Sequence, residues 1–141
     1  MNAARVSLRL MRIIHLCFLF TVILYAWLPS MIVHGKPQEF PLILLSVFGM
    51  LSVTSLGATL FFQAKLVRPA AERLRQNVND PQAAMRWRGG LILSFVFSET
   101  VILSGFLMRI MGVPWTIAGI FYAVGALLLV ACTPKLELLP E

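Results

Sequence analysis

The sequence predicts an all-α, polytopic membrane protein: four transmembrane helices in a single membrane domain over residues 1–141, with both termini cytoplasmic. Three observations predict it. The 141 residues are 59% hydrophobic and 13% charged, with a mean hydropathy of +0.85, whereas a soluble domain is roughly 45–50% apolar and about 25% charged. The apolar residues gather into four long runs. The basic residues lie at the ends of those runs, almost all on one side. Such a composition excludes an ordinary globular domain, a disordered chain and a disulfide scaffold.

The runs are Ile13–Val33, Pro41–Ala64, Gly89–Met111 and Trp115–Thr133, of 21, 24, 23 and 19 residues. At about 1.5 Å per residue each can cross a hydrocarbon core of about 30 Å. Continuous runs of this kind satisfy their backbone in lipid only as helices. Pro41 and Pro114 stand where a first helical turn begins, a position at which the missing N–H costs nothing. Pro134 stops the fourth run. Gly112-Val113 leaves room only for a tight hairpin between the third and fourth. Pro29 predicts a kink near the outer end of the first.

The first run follows Arg5, Arg9 and Arg12, but it is about twice the length of a signal-peptide core and no A-x-A-like site follows, so it reads as a retained helix. The N-terminal arm carries three basic residues. The segment between runs two and three carries six: Lys65, Arg68, Arg73, Arg75, Arg86 and Arg88. The tail carries Lys135, which makes ten. The two other connections hold Lys36 and Arg109. The positive-inside rule therefore places the termini and the middle connection in the cytoplasm. Localisation in a bacterial-type inner (plasma) membrane, multi-pass, follows from the same reading. The net charge of +6 is then a topology signal and not a nucleic-acid footprint.

The middle connection, 65–88, is amphipathic. Leu66, Ala70, Leu74 and Val78 recur every four residues, with charges on the other faces. Pro69 either starts this helix afresh or kinks a continuation of helix two. Asp80 and Pro81 form an N-cap and first-turn pair, so the third helix is expected to begin near Pro81. Arg86 and Trp87 then mark the membrane interface. Trp27 and Trp115 fit the belt on the outer side.

Glu99 is the eleventh of 23 residues in run three, near the bilayer midplane. A carboxylate there costs several kcal/mol and is a functional hypothesis by default. Ser94, Ser98 and Gly105 form a small-residue strip beside it that lets another helix approach. Thr100 and Ser104 add hydroxyls, and Ser52, Thr54, Ser55 and Thr59 of helix two lie at comparable depth. Thr21 and Tyr25 of helix one are further candidates. An ion site would use Glu99, Thr100, Ser104 and Ser55; the bland alternative is a neutral glutamic acid joining two helices.

Six acidic residues and two histidines leave few groups for catalysis, and no nucleophile–base set, phosphate-cradling loop or metal cluster stands out, so a non-enzymatic chain is expected. His15, near the cytoplasmic end of helix one, could contact haem or chlorophyll magnesium, or simply bond water and headgroups. Arg109, about 15 Å along the helix from Glu99, is expected to snorkel outward. Cys17 and Cys132 read as small buried apolar residues. The cytoplasmic basic stripe, with Arg73, Arg75 and Arg86, could hold anionic lipid headgroups or dock an acidic protein surface.

The stretch from Asn79 to Gly105, N-D-P-Q-A-A-M-R-W-R-G-G-L-I-L-S-F-V-F-S-E-T-V-I-L-S-G, resembles the carboxylate helix of the proteolipid, or c, subunit of F-type ATP synthases. Asp80-Pro81 matches the Q-P of that family's R-Q-P loop. Glu99 follows Pro81 by 18 residues, Gly105 matches a glycine six residues after the family's carboxylate, and Ser104 stands at its tyrosine position. Helices two and three, about residues 41–111, would form the corresponding hairpin. The resemblance implies that Glu99 carries an ion and that Asp80 and Pro81 lie in a loop that docks a partner. Helix two has Gly49 and Gly57 where the family has G-x-G-x-G-x-G, and Asn79 stands for its loop arginine. Helices one and four are additional. These departures favour a fixed subunit over a rotor ring.

Two functions are therefore expected of such a chain. The first is a non-enzymatic small integral-membrane subunit of a larger energy-transducing inner-membrane complex, with packing and lipid- or cofactor-contact roles beside other integral-membrane subunits. The second is a proton- or ion-translocating proteolipid-like protein that uses Glu99.

Overall fold

The computed structural model describes residues 3–32 and 41–134, with side chains described from residue 6 onward. His34, Lys36 and Lys135 lie outside the described residues, as does the side chain of Arg5. The described chain is all-helical: α1 (Ala3–Ile32), α2 (Leu42–Phe62), a π-helical turn (Gln63–Val67), α3 (Arg68–Gln76), α4 (Pro81–Ile110) and α5 (Trp115–Ala131).

Three helical stretches are long and apolar enough to cross a membrane: Val6–Ile32, Leu42–Gln76 and Pro81–Ile110. The fourth expected span is shorter than the sequence suggested. α5 has 17 residues, because Cys132 and Thr133 close its last turn with bonds to the carbonyls of Leu128 and Val130. Helix one is longer than its apolar run and starts at Ala3, since the arginines and leucines before Ile13 are themselves good helix formers.

The middle connection resolves in favour of continuation. α2 passes through the π turn directly into α3, so the break between α3 and α4 shrinks to residues 77–80. Pro69 explains the wide turn. It has no N–H to offer Lys65, and its ring crowds that carbonyl. The helix widens just before it, with the Arg68 N–H reaching the carbonyl of Gln63, the i→i+5 bond of a π-bulge. α3 then packs along α4, burying Ala70 and Leu74 in one cluster with Ala83, Ala84 and Trp87. Trp87 is only 1% exposed. The continued hairpin covers it, so Trp87 packs against α3 and its ring is not on the outer surface.

Asp80 and Gly112 set the two tight turns. Asp80 Oδ1 accepts from the backbone N–H of Gln82 (2.9 Å) and Ala83 (3.0 Å), and Pro81 occupies the first turn. At the other end α4 closes in a Schellman motif. Val113 N–H donates to Met108 O at 3.0 Å and Gly112 N–H to Arg109 O at 3.1 Å. Gly112 has φ 89°, the left-handed conformation that glycine tolerates, and Val113 and Met108 are both buried.

α4 is the axis of the fold: α1, α2, α3 and α5 all pack on it, while α1 and α2 form no packed pair of their own. The α4–α5 contact is tight because glycines permit it. A Cβ on Gly125 would lie 3.1 Å from both Ile102 N and Ser98 O, and one on Gly105 would lie 3.0 Å from Ala118 O. α1 and α4 run parallel, with His15 against Phe95 (ring centroids 5.1 Å) and Tyr25 against Phe106 (4.9 Å).

Candidate functional site

On the α4 wheel, each position advances by about 100°. Phe95, Ile102 and Phe106 lie on the arc nearest α1 and α5. Ile92, Val96, Leu103 and Leu107 form the arc that no other described element covers, and all four are exposed. Glu99 falls on the boundary between these arcs. The residue is half-buried, and its Oε2 is buried with no hydrogen-bond partner. Tyr25 of α1 is close enough for the Glu99 charge to act on it.

None of the hydroxyls expected around Glu99 bonds its Oε2. Thr100 Oγ1 donates to Val96 O at 2.9 Å and Ser104 Oγ to Thr100 O at 2.9 Å, each bonding back to its own helix. Ser104 lies about 140° around α4 from Glu99, on the side that faces α2. Ser55 is buried on α2, its carbonyl accepting from Thr59 Oγ1 at 2.9 Å. Thr54 and Thr21 likewise bond back one turn. Of the candidates on α1, Tyr25 lies near Glu99. A buried carboxylate oxygen without a donor has lone pairs free to take a proton, a cation or a donor from a neighbouring molecule.

A second polar cluster, not foreseen, lies where α2, α4 and α5 meet. Gln63 Nε2 donates to Ser94 Oγ at 3.2 Å, and Ser94 and Ser98 each bond back at 2.8 Å. Cys132 is buried at the same end of the bundle. The signal was a glutamine at the end of an apolar run. Cys17, by contrast, is exposed, which corrects the expectation of burial. Ser52 Oγ is also buried without a partner and lines an apolar groove of about 280 Å³ between α2, α4 and α5.

His15 is buried, and Nε2 lies 2.9 Å from the carbonyl of Leu129, one of the last α5 carbonyls that have no intrahelical donor. Donation from Nε2 caps α5 from α1. A haem iron or chlorophyll magnesium at Nε2 would have to displace that bond. Arg109 does not simply project outward: its guanidinium donates to Val113 O at 3.3 Å across the α4–α5 turn. Trp27 and Trp115 are both exposed near the same end. Of the expected docking residues, Arg73, Arg75 and Arg86 are exposed and Pro81 is exposed beside the half-buried Asp80. Among the described residues, no three His, Cys, Asp or Glu side chains gather as a metal site.

Comparison with known proteins finds no family model, no curated protein and no solved structure that matches this chain. What the fold defines is a helical protein with three helices long and apolar enough to span a membrane.

Proposed function

We propose that the chain is a small, non-enzymatic integral subunit of a larger energy-transducing complex in a bacterial-type inner membrane. In this reading all four helices span, α5 with the shortest crossing, and the termini and the α3–α4 turn face the cytoplasm, where the basic residues concentrate. The observation that carries it is the bareness of α1 and α2. The most apolar window of each is only 11% buried, against 50% for α4. Leu42, Ile43, Met50 and Val53 of α2 are 70–79% exposed, an apolar face no soluble monomer sustains. The turns at 77–80 and 111–114 carry no domain of their own. These faces serve lipid and neighbouring subunits. A photo-crosslinker at Ile23 or Val53, exposed on α1 and α2, is expected to trap an unlike chain in native membranes. Adducts with lipid or with the chain itself alone would overturn the reading.

A second reading, ion translocation by Glu99, is favoured by one observation: its buried, unpartnered Oε2. Its test is proton flux through assembled protein. Abolition by Glu99→Gln supports it, and unchanged flux with unchanged assembly removes it. The resemblance to ATP-synthase proteolipids belongs to this reading.

A further inference from the structure

Six cations from three separate chain segments share one level of the bundle. A Cβ on Gly90 would lie 2.8 Å from Val67 Cγ2 and 2.9 Å from Leu66 Cβ, which sets Lys65 and Arg68 at the depth of Gly90. Arg86 and Arg88 follow on α4 itself, about 6 and 3 Å below Gly90. The stacking of His15 on Phe95 fixes α1, and Arg12 and Arg9 lie about 4.5 and 9 Å below His15. All six therefore fall within about 10 Å along the axis. Five are exposed, and Arg88 is half-exposed with Nε on Ala84 O at 3.3 Å. The described carboxylates at this end are Glu72 and Asp80, and Asp80 caps its own helix.

We infer that this collar binds anionic phospholipid headgroups and fixes the depth of the bundle in the bilayer. The inference rests on the reading of the chain as a membrane protein, not on which complex it joins. The collar lies about 20 residues from the opposite ends of α1 and α4, which is one hydrocarbon thickness. A headgroup layer adds only about 5–8 Å on each side. Arg73 and Arg75 lie about 7.5 and 10.5 Å beyond Arg68 along the helix, so Arg73 reaches the outer edge of that layer and Arg75 projects past it. A band of cations from three chain segments at headgroup depth matches a surface of phosphodiesters. An acidic protein would meet that outer pair first.

The test places the full chain in nanodiscs of equal parts phosphatidylglycerol and phosphatidylcholine and counts retained lipids by native mass spectrometry. The expected result is an excess of phosphatidylglycerol of about five-fold or more, since each cation near an anionic surface favours it by roughly that factor. Arg9→Gln, Arg12→Gln, Arg68→Gln and Arg86→Gln together are expected to abolish the excess. Arg73→Gln with Arg75→Gln retains most of it, and inorganic phosphate does not displace the lipid. Equal retention of the two lipids by the wild-type protein overturns the inference, whether or not the variants fold. So does equal loss in both variants, or displacement by phosphate. A chain that fails to enter the nanodisc overturns the membrane-subunit reading as well; one that enters and shows no preference overturns the collar alone.

Discussion

The hydroxyl of Tyr122 donates to the main-chain carbonyl of Tyr25 at 2.7 Å, the carbonyl that Pro29, four residues on, leaves without a helical donor. A defect inside α1 is thereby filled from α5. Buried carbonyls need a partner, and here the partner also sets how the two helices meet. Removing the hydroxyl by Tyr122→Phe is expected to destabilise the protein by about 0.6–1.5 kcal/mol. Pro29→Ala restores an N–H that can reach Tyr25 O, so in that background the cost is expected to fall towards zero. A double-mutant cycle on unfolding in detergent reads the coupling; additive effects would contradict it.

His15 serves the same purpose at the other end of α5. His15→Phe keeps a ring against Phe95 and removes the donor to Leu129 O. The expected loss is about 1–3 kcal/mol, the cost of an unsatisfied buried group. Hydrogen exchange at the last turn of α5 is expected to rise with it; unchanged exchange would show that the cap is dispensable.

Gly125 and Gly57 should respond oppositely to alanine. A Cβ on Gly125 meets backbone atoms of α4 at 3.1 Å, whereas one on Gly57 meets nothing within 4 Å. Gly125→Ala is expected to cost about 1–3 kcal/mol by overpacking. Gly57→Ala is expected to be neutral or to stabilise by up to about 1 kcal/mol. Denaturant midpoints for both variants check this.

Asp80→Ala is expected to cost about 0.5–2 kcal/mol through the lost cap of α4, and Asp80→Asn only a small part of that, because asparagine caps equally well. Equal losses in the two variants would mean that the charge matters and the cap does not.

The hydrophobic runs and turn residues made the helices legible: Asp80-Pro81 opens α4 and Gly112-Val113-Pro114 closes it as local chemistry dictates. Pro69 was ambiguous because a proline reads as either break or kink, and only the π turn decides between them. The burial of Trp87 was not legible because it depends on α3 lying alongside. Glu99 announced its depth by its position in run three, but depth along a helix does not give azimuth. Which hydroxyls could meet it depended on α2 covering one arc of α4 and α1 another. Ser55 and Ser104 share its depth range and face elsewhere. Tyr122–Tyr25 and His15–Leu129 join residues 97 and 114 apart in sequence, and no local pattern encodes such pairs.

In the proposed reading, α1 and α2 are bare because other subunits and lipid cover them. The most direct measurement is the native mass, composition and absorption spectrum of the particle after mild-detergent extraction from its own membrane. Unlike chains in fixed ratio with this one are expected, with or without pigment bands. A ring of identical copies without other chains would contradict it and would return Glu99 to the ion-carrying role.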